Sequence, residues 1–135
     1  MLTTVRTYAN DRLQPAEAPN DARVQAGVFG PSLTIPKGQA LGKKTADGKL
    51  YPYVDANSDG TQTCVGYSIY PFVTDANGQA FIGGSTTPGE DNLPQTTMPY
   101  YDAGTFSTGD LVGHDAAALA DLKGIVLPSG RIKIG

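Results

Sequence analysis

From Pro31 onward, short runs of apolar and β-branched residues alternate with glycine, proline, asparagine and aspartate, the pattern of brief strands joined by tight turns. Leu33 to Ile35 precedes the turn PKGQ, Ala40 to Lys44 precedes ADGK, and Lys49 to Tyr53 precedes DANSDG. Each turn holds a glycine able to take positive φ, so hairpins or bulged connections are expected. Cys64 to Val73 is the longest strand candidate. TDANGQ then leads to Ala80 to Ile82, with Asn77-Gly78 the strongest hairpin signal. Residues 83 to 96, GGSTTPGEDNLPQT, read as a long surface loop before β structure resumes at Met98 to Tyr101 and Thr105 to Phe106.

One helix is predicted, from Ala116 to Lys123. Asp115 can cap its first turn, Leu119 and Leu122 lie on one face, and Gly124 can end it in the left-handed conformation. Beyond it, IVLPSGRIKI places Ile125 and Leu127 opposite Ile132 and Ile134 across a PSG turn. Residues 1 to 30 differ, because they hold few large apolar side chains and are interrupted by Pro15 and Pro19. The expected fold is therefore mainly β with one short helix: an extended N-terminal arm over 1–30, then a β-rich domain over 31–135.

Composition sharpens this picture. Seventeen glycines and ten prolines in 135 residues suit many short strands, and the length suits one domain of modest core. A formal charge of -3 without a basic cluster argues against a nucleic-acid partner. No apolar run approaches the roughly 20 residues of a membrane helix, and the N-terminus lacks signal-peptide character. Synthesis in a cytoplasm and no membrane partner are the expectation.

Candidate chemistry is thin. Asp55, Asn57, Asp59 and Gly60 begin like a calcium loop, but its twelfth position is Gly66, where a bidentate Glu is needed. A metal-independent Asx-type turn is expected. The single cysteine, Cys64, excludes an internal disulfide and reads as a small buried thiol rather than a nucleophile paired with His114, the lone histidine. Glu17 and Glu90 stand in the arm and the long loop, neither a rigid setting for a carboxylate pair. No phosphate-binding or dinucleotide-binding glycine motif occurs. No enzyme, catalytic residue, metal or cofactor is expected.

The order IPKGQALGKKTADGKLYPYVDANSDGTQTCVGYSIYPFVTD, then AGTFSTGDLVG, then a short helix before GIVLPSGRIKI, resembles the lambda-type head decoration proteins of tailed bacteriophages. The likeness spans roughly Leu33 to Ile134. It implies a small β-tulip-like domain without enzymatic activity that forms a homotrimer. The trimer would sit on the outer capsid surface at three-fold positions and clamp major capsid protein subunits after the shell expands. The run Tyr67-Ser68-Ile69-Tyr70 is more aromatic than the family pattern, and 83–96 is an insertion relative to it.

Two sets of residues follow as candidates. Thr3, Thr4, Val5, Arg6, Thr7 and Tyr8 are mostly β-branched or aromatic, so this stretch is expected to add a strand to the major capsid protein, with residues 9 to 30 as a tether. The rival expectation folds the arm onto its own body or a neighbouring copy. Tyr67, Ile69, Tyr70, Phe72 and Phe106 are the candidate trimer interface. An alternative function is a carbohydrate- or receptor-binding module of a virion surface, with Tyr51, Tyr53, Tyr67, Tyr70, Tyr100 and Tyr101 as a stacking platform.

Overall fold

The longest strand, Met98–Phe106, organises the computed structural model, which describes residues 12–16, 22–90 and 92–135. In chain order the strands are β1 (Arg23–Gly27), β2 (Thr34–Ile35), β3 (Ala40–Lys43), β4 (Leu50–Pro52) and β5 (Cys64–Ser68). They continue with β6 (Phe72–Thr74), β7 (Ala80–Ile82), β8 (Met98–Phe106), β9 (Ile125–Val126) and β10 (Ile132–Ile134). One helix, α1 (Ala116–Asp121), precedes β9. Among the described residues the protein is mainly β, with two antiparallel sheets and one short α-helix.

The larger sheet runs β4-β3-β5-β8-β10-β9, with β1 also on β8, and the smaller runs β2-β6-β7. Strand β8 serves three partners because it is long. Residues Met98 to Ala103 face β1, Tyr100 and Tyr101 also pair with β5, and Gly104 to Phe106 pair with β10. The change of partner falls at Gly104, whose φ of 143° favours glycine and where a Cβ would come 2.9 Å from the Phe106 ring.

The expected run Cys64 to Val73 is two strands in two sheets. Pro71 cannot donate to a ladder, so the chain leaves the larger sheet after Ser68 and joins the smaller one at Phe72. Asn77-Gly78 makes the predicted hairpin, with Gly78 at φ 81° between β6 and β7.

The helix is capped as expected. The Asp115 side chain accepts the Ala118 N–H at 2.8 Å. Its end is corrected, however, because the left-handed residue is Lys123, at φ 53°. A Cβ on Gly124 would come 2.3 Å from Leu119 Cδ1, a side-chain end that can turn aside, and 3.1 Å from Leu119 O. The terminal hairpin is also corrected by one residue: Val126 faces Ile132 and Ile125 faces Lys133. Ile132 and Ile134 fill the core, while Ile125 and Val126 of β9, the last strand of the sheet, are exposed.

Two apolar clusters hold the sheets. One joins Tyr67, Ile69, Tyr101, Phe106 and Ile132 to Ala118 and Leu122 of the helical segment. The other joins Phe29, Ile35, Leu41, Leu50, Phe72 and Met98. Phe29 meets Phe72 edge-on, centroids 4.7 Å apart, and each fully buried ring contributes about 1.5–3 kcal/mol. Tyr70 packs against both clusters and links them.

The boundary expected after residue 30 is corrected for the described part of the arm. Leu13 is buried in the first cluster, and its N–H donates to Ile69 O at 2.7 Å. Residues 23–27 form β1, and Phe29 is a core residue of the second cluster. These segments belong to the domain rather than to a tether.

Candidate functional site

Thr3, Thr4, Val5, Arg6, Thr7 and Tyr8 lie outside the described residues, as does Glu17. Four of the five interface candidates are corrected by burial: Tyr67, Ile69, Phe72 and Phe106 are enclosed by the chain's own fold. Their strands are covered on the face that carries them, so they hold the monomer together. Tyr70 remains half-buried between the clusters.

The tyrosine platform is dispersed in the same way. Tyr53, Tyr67 and Tyr101 are core residues, whereas Tyr51 donates its phenol hydrogen to Asp47 at 2.7 Å across the ADGK turn. That bond pushes the Tyr51 phenol up to about 12. Burial thus removes three of the six from any stacking surface.

The polar groups around α1 form a staple between helix and sheet. Tyr53 Oη donates to Asp115 Oδ1 at 2.9 Å, and the Cys64 N–H donates to Asp121 Oδ2 at 2.9 Å. Tyr67 Oη lies 2.7 Å from His114 Nδ1. Burial pushes the Cys64 thiol up to about 12 and lowers the His114 pKa, so the thiol stays protonated and the imidazole neutral at ordinary pH. The Cys64 sulfur points at Gly66 O, 3.6 Å away. This arrangement fastens secondary structure and does not activate a nucleophile.

DANSDG closes on itself. Asp59 Oδ1 accepts both the N–H and the hydroxyl of Thr61, and Asn57 Nδ2 donates to Thr61 Oγ1 at 2.9 Å. The oxygen that would serve a cation is thus used by an Asx-type turn. Among the described residues no group of three acidic, histidine or cysteine side chains is placed to hold a metal. No described helix is long and apolar enough to cross a membrane.

The feature that remains is an edge. Strand β1 pairs only with β8 among the described residues, so no described strand takes the main-chain donors and acceptors of its second side. Arg23, Val24, Gln25 and Ala26 are all exposed, on both faces of the strand, and Val24 is 54 % exposed. Its far end is braced by Arg23, whose Nε donates to Asp102 Oδ1 at 2.8 Å. Sequence reasoning missed this strand because RVQAG holds only one strong β-former and no alternation to mark a buried face. The signal that could have found it is Phe29 just beyond, a large apolar residue that ties the segment to a core.

An exposed, braced, two-faced strand can bind an extended peptide by main-chain pairing, with register set by side chains on alternate faces. No family model, curated protein or solved structure matches this chain.

Proposed function

We propose that this chain is a structural virion protein, a capsid decoration protein that binds the outer surface of the expanded phage head at three-fold positions and stabilises the shell. The observation that carries the reading is strand β1, an exposed strand that pairs only with β8 among the described residues. Its partner in this reading is the major capsid protein. The order of turns and strands from Leu33 to Ile134, which resembles the lambda-type family, supports the same role.

Stabilisation needs no chemistry. A ligand that binds only the expanded shell shifts the equilibrium toward it by mass action. Three copies at a three-fold position multiply a weak contact, because docking of one raises the effective concentration of the others. The arm residues Thr3 to Tyr8 add a second point of attachment to the capsid protein.

The test is co-sedimentation with expanded and unexpanded shells of the cognate phage, followed by heating of the decorated shells. Binding confined to expanded shells, together with a higher shell melting temperature, is the expected result. Equal binding to both forms, or none to either, rejects the function. A positive glycan array in place of shell binding would favour the receptor-binding module instead.

A further inference from the structure

Three places in the chain set an aspartate or asparagine before a glycine: Asp47-Gly48, Asp59-Gly60 and Asn77-Gly78. Such pairs are open to a reaction that needs no enzyme. The glycine nitrogen attacks the side-chain carbonyl carbon of the residue before it, and glycine favours this because no Cβ obstructs the approach. At Asn77 a new bond from Gly78 N to Asn77 Cγ expels ammonia and closes a five-membered succinimide. Water then opens the ring at either carbonyl, leaving aspartate or isoaspartate. The net change replaces the amide nitrogen by oxygen and adds a negative charge.

The three pairs are not equally exposed to it. An ionised carboxylate is a poor electrophile, and both aspartates are held below the ordinary carboxylate range. The Lys49 N–H and then the Tyr51 phenol do this for Asp47, and the Thr61 hydroxyl and then its N–H for Asp59. The Asn77 carboxamide is neutral and keeps its reactivity at any pH. Asn57 and Asn92, the other asparagines of the described residues, are not followed by glycine. Their side-chain nitrogens are also tied, to Thr61 Oγ1 at 2.9 Å for Asn57 and to Ser85 O and Thr87 O at 2.9 and 2.7 Å for Asn92. The Asn77 side chain is exposed and has no such bond among the described residues.

The attacking nitrogen, however, is restrained. The Gly78 N–H donates to Asp75 O at 3.0 Å, and Asp75 Oδ1 accepts the N–H of both Asn77 and Gln79 at 2.9 Å. One residue thus holds three consecutive amides. The Asp75 N–H in turn donates to Gln79 O at 3.0 Å and closes the hairpin that pairs Thr74 with Ala80 and Phe72 with Ile82. Gly78 is itself buried, with Phe29 O 3.1 Å from where a Cβ would stand. To reach Asn77 Cγ, the Gly78 nitrogen must give up its bond to Asp75 while the peptide plane between residues 77 and 78 rotates. That movement requires the turn to open.

We infer that Asn77 is the deamidation site of the described chain and that Asp75 restrains it, so that modification proceeds from molecules whose β6–β7 hairpin has opened. The isoaspartate product cannot rebuild the turn, because it inserts an extra backbone carbon between residues 77 and 78. The hairpin register keeps Phe72, Ala80 and Phe81 buried, so the change reaches the core. Modification is then a one-way record of hairpin opening. The inference holds whatever the chain binds.

The full chain incubated at mildly alkaline pH, folded in buffer and unfolded in guanidinium chloride, tests it. Peptide mapping by mass spectrometry, with chromatographic separation of isoaspartate, follows each position. Residue 77 is expected to change before any other described asparagine or aspartate, and at least about tenfold more slowly in the folded chain than in the unfolded one. D75A removes two of the three restraints. It is expected to raise the folded-state rate at least about threefold and to leave the unfolded-state rate unchanged, with far-ultraviolet circular dichroism showing that the variant is folded. Equal wild-type rates in the two states overturn the restraint, and earlier change at another described position overturns the site. A folded D75A as slow as the wild type removes Asp75 from the role. Where D75A does not fold, the wild-type comparison still decides.

Discussion

The Asp115 carboxylate accepts two hydrogen bonds on one oxygen, from the buried Tyr53 phenol at 2.9 Å and from the Ala118 N–H at 2.8 Å. One residue therefore starts the helix and fastens it to the strand-side core. Loss of the cap costs about 1 kcal/mol, and the phenol left unpaired about 1–3 more. D115A is expected to lower stability by roughly 2–4 kcal/mol in urea titration. D115N, which still caps, should cost less. The main-chain bond from Ala118 and the Tyr53 phenol hold the Asp115 carboxyl below its ordinary value. A lowered folded-state pKa gives stability that is present above the unfolded value, about 3.9, and lost as pH falls through the folded one. The acid limb of the stability curve should accordingly be shallower in D115N than in the wild type.

His114 gives a second pH window, with the opposite chemical cause. Burial lowers its pKa below the ordinary 6.5, and the neutral ring places Nδ1 2.7 Å from Tyr67 Oη. The unfolded chain then takes up a proton before the folded chain does. Stability is complete above about 6.5 and falls as pH drops from there toward the folded value. As pH falls below about 6.5 the urea midpoint of the wild type should decline, and H114Q should flatten that slope. An unchanged slope in H114Q would show that the ring titrates as freely as in the unfolded chain.

A pair of glycines separates packing from conformation. At Gly42, beside the bulge where β3 meets β5, a Cβ would approach Thr61 O to 2.5 Å and Thr61 Cα to 2.6 Å. Backbone on that side has no rotamer to escape into. G42A is expected to cost about 1–3 kcal/mol or more. Gly84, in the long loop, has nothing within 4 Å of the same added atom, and G84A should stay within about 0.5 kcal/mol of wild type. Thermal melts of the two variants make the comparison.

How much of this was legible in the sequence depends on the range of the interaction. The turns at Gly38, Gly48 and Gly78, all at positive φ, and the Asp115 cap are local, so residue type alone announced them. The one-residue slip of the terminal hairpin was not local. Ile125, Val126, Leu127, Ile132 and Ile134 are all apolar, and only packing against Phe106 and Leu122 decides that the β10 set goes inside. Tyr67, Ile69, Phe72 and Phe106 were misread as interface for a related reason. An aromatic strand looks the same whether its cover comes from the same chain or another, and here the helix and neighbouring strands supply it. Strand β1 was hidden because its order comes from β8 across the sheet rather than from its own composition. Strand β1 was thus the least readable part, since an exposed strand has no buried face to impose a pattern.

Truncation at the N-terminus distinguishes the arm from the body, and the cut must respect Leu13. That side chain is 2 % exposed, its N–H bonds Ile69 O, and three residues on the Ala16 N–H donates to Thr105 O at 2.7 Å. Arg131 Nη1 adds a bond of 3.4 Å to Ala16 O. Removing residues 1–16 deletes a buried leucine worth about 1.5–3 kcal/mol and two main-chain bonds worth about 1 kcal/mol each. That chain should lose roughly 3–5 kcal/mol in urea titration. Removing only residues 1–11 leaves these contacts in place, so that chain is expected to stay folded. Shell binding then isolates what Thr3 to Tyr8 contribute: the 1–11 deletion is expected to bind expanded shells far more weakly while remaining folded. Undiminished binding by that folded truncation would remove the arm as an anchor and leave the capsid contact to strand β1.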